Sequence, residues 1–297
     1  MNSIERILFP TDFSERAARA LEHAVQLAID HSARLDLLHV DEHSDRRGRE
    51  DKVAGNEEQL GAVKDRVLSI SDRMIEVDTS VRTGEAAAPA IVDFARQSSA
   101  DLIVIGTHGR RGVSRVFLGS VAEEVVRTAP CPVLSVRTET SSPPPRPMRR
   151  VLVPIDFSEY GALALNAADR FVVDDAEIII LHAVEDFVPP GVYGLEYPSY
   201  HQISADAEAS AREEMRRMAD SILSTTRRTD IDIARGYAPS AIVDYATARE
   251  VDAIVMSTHG RTGIERMLLG SVAERVLRTS DLPVLIVRSF PQKDSAE

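Results

Sequence analysis

The sequence is poor in cysteine: Cys131 is the only one in 297 residues. No intramolecular disulfide can form, and a cysteine-based zinc site is excluded. Cys131 stands between Pro130 and Pro132 at the start of an apolar run, which reads as a structural position rather than a redox one. A basic surface is lacking as well. Lys and Arg number 35 against 47 Asp and Glu, for a formal net charge of −12. Sequence-independent binding to nucleic acid or to an anionic membrane needs a broad basic face, so both are disfavoured, while a small basic anion pocket is not. No apolar run approaches the roughly 20 residues needed to span a bilayer. The N-terminus, MNSIERILFP, lacks the basic-then-apolar plan of a secretory signal. The expected compartment is the cytoplasm. Several enzyme signatures are missing: no GxxxxGK(S/T), no GxGxxG after the first strand, no GxSxG elbow. His39, His108, His182 and His259 show no HExxH-type spacing, which favours hydrogen-bonding or structural roles.

What is present is a globular composition, 43% hydrophobic and 28% charged, and a repeat. Arg6-Ile7-Leu8-Phe9-Pro10-Thr11-Asp12-Phe13-Ser14-Glu15 returns as Arg150-Val151-Leu152-Val153-Pro154-Ile155-Asp156-Phe157-Ser158-Glu159, an offset of 144. Thr107-His108-Gly109-Arg110 matches Thr258-His259-Gly260-Arg261, and Leu118 to Glu123 matches Leu269 to Glu274, at an offset of 151. A unit this long is a duplicated domain, since solenoid repeats run about 20–50 residues. The expected division is a first domain over 1–138, a Pro-rich linker over 139–148, a second domain over 149–291 and a tail over 292–297. Pro143, Pro144, Pro145 and Pro147 stiffen the linker. At about 3.1 Å per residue it spans on the order of 30 Å. The added length of the second copy falls in a Pro/Tyr/Gly-rich loop over 187–202.

Each copy alternates strands and helices. In the first, the spacing predicts strands over 7–9, 35–40, 76–82, 102–105 and 132–136, with helices from Ser14, over 57–71, over 90–97 and from Ser120. In the second, the strands fall near 151–153, 178–183, 230–235, 253–256 and 283–287. This is the pattern of βαβ units and a mostly parallel sheet. Such sheets bind ligands beyond the carboxyl ends of their strands.

The residues after those ends carry the chemistry. Gly106, Gly109 and Gly119 allow a backbone path that side chains would obstruct, and let phosphate approach main-chain N–H groups. Gly119-Ser120 directly precedes a helix, whose free N–H groups favour an anion. A capping box, Ser120 with Glu123 and Ser271 with Glu274, explains the serine and the glutamate but not the upstream glycines. Asp12 and Asp156 follow a proline after the first strand. Each can accept from a ribose or adenine group, or bond its own backbone in a strand-to-helix turn. Arg110 and Arg261 can offset phosphate charge, or lie solvated. Tyr193, Tyr197 and Tyr200 form a lid, a partner contact or an ordinary loop.

The spacing Gly-x2-Gly-x9-Gly-Ser after a fourth strand, with an aspartate after the first, resembles the ATP-binding branch of the universal stress protein family, twice over. The resemblance implies an α/β fold: two tandem five-stranded parallel sheets of strand order 3-2-1-4-5, Rossmann-like. It implies adenine beside Asp12 and Val40, with Pro10 and Thr11 adjoining, and beside Asp156 and Ala183, with Pro154 and Ile155. The phosphates would lie against Gly106, Gly109, Arg110, Gly119, Ser120 and Val121. In the second copy they would lie against Ser257, Gly260, Arg261, Gly270, Ser271 and Val272. The implied cofactor is ATP, or ADP or AMP, with Mg. The implied partners are an adenine nucleotide and the other copy, joined within the chain through the fifth strands, with a homodimer also open. Ser257 stands where the pattern has Gly106; if that position needs positive φ or close backbone approach, the second site is the weaker one. The expected function is a nucleotide-binding stress-response regulator rather than a conventional enzyme. The alternatives are a slow ATPase or adenylate-transferring enzyme, or an interaction module with one vestigial pocket.

Overall fold

A computed structural model gives the fold and describes residues 4–42, 49–71, 75–84, 86–107, 118–137, 144–185, 198–258 and 269–288. The first half runs β1 (Arg6–Pro10), α1 (Glu15–His31), β2 (Arg34–Asp41), α2 (Arg49–Ile70), β3 (Val77–Thr83), α3 (Ala87–Gln97), β4 (Leu102–Gly106), α4 (Ser120–Thr128), β5 (Val133–Val136). The second runs β6 (Arg150–Pro154), α5 (Glu159–Phe171), β7 (Glu177–Val184), α6 (Pro198–Ile222), β8 (Arg228–Arg235), α7 (Ala238–Ala248), β9 (Ala253–Ser257), α8 (Ser271–Thr279), β10 (Val284–Val287). All ten expected strands are present. Residues 198–202, read from sequence as the end of a loop, open α6 instead. Tyr193 and Tyr197 lie outside the described residues.

The strands form one sheet in the order β3-β2-β1-β4-β5-β10-β9-β6-β7-β8. Each half has the order 3-2-1-4-5 and is parallel throughout. The halves meet where β10 runs antiparallel to β5, pairing Val284 with Ser135, Leu285 with Leu134 and Ile286 with Val133. Leu134 and Leu285 are equivalent at the repeat offset of 151. A local two-fold axis therefore passes between them.

Strands buried on both faces read as continuous apolar runs, which is why they were visible in the sequence. Ile7, Phe9, Leu35, Val104, Leu134, Val153, Ile180 and Leu285 pack under α1, α2, α5 and α6. Leu8, Leu38, Ile103, Val133, Leu152, Ile179 and Ile286 pack under α3, α4, α7 and α8. Both clusters contain residues from each half, so the two cores are continuous across the β5–β10 seam. Arg137 reinforces the seam, donating from its buried guanidinium to the carbonyls of Arg278 (3.1 Å) and Ser280 (3.4 Å) at the end of α8. No helix among the described residues is long and apolar enough to cross a membrane.

Candidate functional site

The strand order reverses between β1 and β4, because β1 leads outward to β2 and β4 leads to β5. Proline opens this point. Thr11 N–H donates to Leu38 O of β2 (2.8 Å), while Asp101 N–H donates to Arg6 O of β1. Odd residues of β1 thus face β2 and even ones face β4, so Pro10 falls on the β4 side with no N–H to give. Pairing between β1 and β4 is confined to Ile7–Leu102 and Leu8–Ile103. Beyond Leu8 the strands part. The second half repeats this with Pro154: Ile155 N–H donates to Leu181 O at 2.8 Å, and β6–β9 pairing is confined to Val151–Ala253 and Leu152–Ile254.

On one lip of each gap lies an aspartate. Asp12 Oδ1 accepts from Ser14 N–H (3.0 Å), and Asp156 Oδ1 accepts from Ser158 N–H (3.1 Å). Both are Asx turns, the own-backbone alternative considered above. The turn carries Phe13 and Phe157 into the left-handed region, each at φ 61. A bulky side chain there costs on the order of 1–3 kcal/mol and persists only where its surroundings hold it. Here the Phe13 ring stacks on His39 with centroids 4.3 Å apart, and Phe157 lies 4.6 Å from His182. Each histidine is fixed in turn, as His39 Nδ1–H donates to Thr11 O (2.8 Å) and His182 Nδ1–H to Ile155 O (2.9 Å). That fixes the neutral tautomer of both rings with Nε2 as the acceptor. The halves differ in the serine. Ser14 Oγ accepts from Ala17 N–H and caps α1, whereas Ser158 Oγ donates to Asp156 Oδ1 at 2.6 Å.

On the other lip lies a helix start. Gly119 N–H donates to Thr107 O (2.7 Å) and Gly270 N–H to Thr258 O (2.7 Å), which brings the start of α4 to the end of β4, and that of α8 to the end of β9. The caps are Gly119 and Gly270, and neither receives a side-chain cap hydrogen bond. The capping box weighed as the structural alternative at Ser120 and Ser271 is therefore not formed. Each serine is the first helical residue and is exposed, and Glu123 and Glu274 donate their N–H to the glycine carbonyls at 2.8 and 2.9 Å. A glycine cap leaves the first-turn amides to solvent or to a ligand. Arg278 spans the pair of helices, lying 2.7 Å from Glu274 Oε1 and 3.7 Å from Glu123 Oε2, which offsets a carboxylate in the first turn of each.

Pro10, Thr11, Asp12, Val40, Gly106, Gly119, Ser120 and Val121 thus share one sheet edge, as do Pro154, Ile155, Asp156, Ala183, Ser257, Gly270, Ser271 and Val272. Val40 and Ala183 sit half-buried against the α3/α4 and α7/α8 layer. Gly109, Arg110, Gly260 and Arg261 lie outside the described residues. Gly106 pairs with Val136 and Ser257 with Val287 as ordinary strand ends. Among the described residues the glycine with positive φ is Gly236. Positive φ is thus no reason for serine at 257 to weaken the second site. Two residues at the edge escaped sequence reasoning. Glu42 Oε1 accepts from Ala87 N–H (2.9 Å) and Glu185 Oε1 from Ala238 N–H (3.4 Å), tying the second strand to the helix after the third. Their signal was an acid two residues past Val40 and Ala183 in both copies.

The two halves are Rossmann-like α/β units, each with a glycine-capped helix start across a proline-opened gap from an aspartate. The universal stress protein family model matches residues 3–137 and again 147–288. The chain belongs to that family. It is 30% identical over 234 residues to a universal stress protein of Mycobacterium tuberculosis, covering 78% of this chain and 72% of the relative. A universal stress protein of Methanocaldococcus jannaschii is 34% identical over 150 residues, 49% of this chain and 85% of its own length. The fold is also that of a solved universal stress protein from Archaeoglobus fulgidus, with a TM-score of 0.68, 22% identity and 98% of both chains covered.

Proposed function

We propose that the chain is an adenine-nucleotide-binding regulatory protein of the stress response, with one site at the carboxyl edge of each half. The supporting observation is the pair of helix starts capped only by Gly119 and Gly270, each facing an aspartate across a gap in the sheet. Main-chain amides there suit a phosphate chain. A hydrogen bond to a charged group contributes roughly 1.5–3 kcal/mol net, so three or four reach the about −8 kcal/mol of micromolar binding. Adenine lies beside Asp12 and Val40 in one half, and beside Asp156 and Ala183 in the other. ATP, ADP and AMP share these groups, and Mg²⁺ comes with the triphosphate as part of the ligand. Occupancy biases contacts with a partner in the cytoplasm, and the two halves act as one body through β5 and β10. The test is to denature purified protein, separate the supernatant for adenine nucleotides, and titrate ATP into the stripped protein by calorimetry. Nucleotide in the extract, or micromolar binding of about two equivalents, is expected. The absence of both overturns the reading.

A further inference from the structure

The backbone frame of the two sites is the same, but the rims differ in chemistry. In the first half Gly84 N–H donates to Asp41 O, Ala87 N–H to Glu42, and the residue capping α3 is Ala86. In the second half Gly236 N–H donates to Val184 O, Ala238 N–H to Glu185, and the residue capping α7 is Tyr237. These bonds hold Tyr237 at the carboxyl end of β7, where Val184 and Glu185 lie. The residue is 54% exposed, the most open of the large hydrophobic residues among the described ones. Arg275 lies over it at 5.9 Å from the ring centroid. Arg275 belongs to the first turns of α8, four residues past Ser271, and its repeat equivalent on α4 is Glu124. An alanine and an acid in one half are thus a tyrosine and a base in the other.

Resting on the nucleotide reading, we propose that Tyr237 and Arg275 make the second site selective for the more highly charged nucleotide. The exchange of Glu124 for Arg275 swings the local charge by two units beside a helix start that faces phosphate. That difference acts more strongly on a triphosphate than on a monophosphate. Tyr237 adds a flat apolar face to the same rim and, being uncharged, does not sense phosphate number. The Coulomb term at an exposed rim is modest. About 1 kcal/mol is roughly a fivefold change in the ratio of the AMP and ATP dissociation constants.

The sites can be read one at a time. Ser120→Glu and Ser271→Glu each set a carboxylate at an exposed first helical position, which the helix dipole favours and which repels phosphate. In Ser120→Glu protein the second site remains; in Ser271→Glu protein the first remains. ATP and AMP are titrated into each by calorimetry, with thermal melts checking that both variants fold. The AMP-to-ATP ratio is expected to be about fivefold larger at the second site. Adding Arg275→Glu should bring it down to that of the first, and adding Tyr237→Ala should weaken ATP and AMP by the same factor. Binding at both sites with equal ratios, or a ratio indifferent to Arg275→Glu, overturns this inference and leaves the nucleotide reading standing. No binding in either variant or in the parent protein sinks both.

Discussion

At the scale of single residues, burial sets two properties that can be measured directly. His23 lies half-buried on α1, and desolvation pushes its imidazole from 6.5 down to about 4. Between those values the unfolded chain takes up a proton that the folded chain refuses. The contribution is therefore complete above about pH 6.5 and is lost as pH falls through about 4. It is on the order of 3 kcal/mol at its limit. Denaturant titrations from pH 7 to pH 4 should show stability falling in that window, and His23→Gln should flatten the fall. Cys131 is only 7% exposed. Burial, aided by the charge of Asp101, pushes its thiol up to about 12. A thiol reagent at pH 8 should label it only in denaturant; rapid labelling of the native protein would contradict the structural role. The proline flanks of Cys131 pointed to that role in the sequence. The sequence carried no sign of His23, because its burial depends on how α1 lies on the sheet.

At the scale of elements, the inner strands were legible because double-sided burial makes them apolar throughout, whereas the edge strands β3 and β8 are largely exposed or half-buried and carry polar residues. The helix starts were less so, since moving a cap by one residue exchanges a serine cap for a glycine one. That shift changes the chemistry. If the amides of α4 are kept for a ligand, Gly119→Asp should supply the missing cap, raise stability by a few tenths of a kcal/mol, and lower ATP affinity at the first site about tenfold or more. Thermal melts and calorimetry on the same sample check both. A second element depends on one arginine that no motif announces. Arg227, before β8, donates from Nε to Asp169 Oδ1 at 2.7 Å, and to the carbonyls of Asp169, Val173 and Asp174 at 3.0, 2.6 and 2.8 Å. Its side chain and that of Asp169 are 10% and 7% exposed. Arg227→Ala leaves a buried carboxylate and the carbonyls of Asp169 and Asp174 without this donor, while the Val173 carbonyl keeps the Ala176 N–H; the loss should cost about 3–5 kcal/mol in urea unfolding. The asymmetric rim formed by Tyr237 and Arg275 was hidden for another reason. Each is unremarkable until the fold brings the starts of α7 and α8 together.

At the scale of the molecule, the repeat announced two units, and the structure joins them into a single sheet with two shared cores. A chain cut to residues 1–138 would expose the edge of β5, with Val133, Leu134 and Val136 beside it. It should self-associate through that edge and elute as a dimer in light scattering, whereas a stable monomer would mean that the seam contributes little. The axis through Leu134 and Leu285 has one more consequence. Two separate identical chains meeting there would carry any change at the seam twice, once in each copy. Fusion into one polypeptide lifts that restriction. Ser135 now faces Val284, while its counterpart Ile286 faces Val133, so positions related by the axis have already drifted apart, and the two carboxyl edges can specialise separately while their shared foundation stays intact.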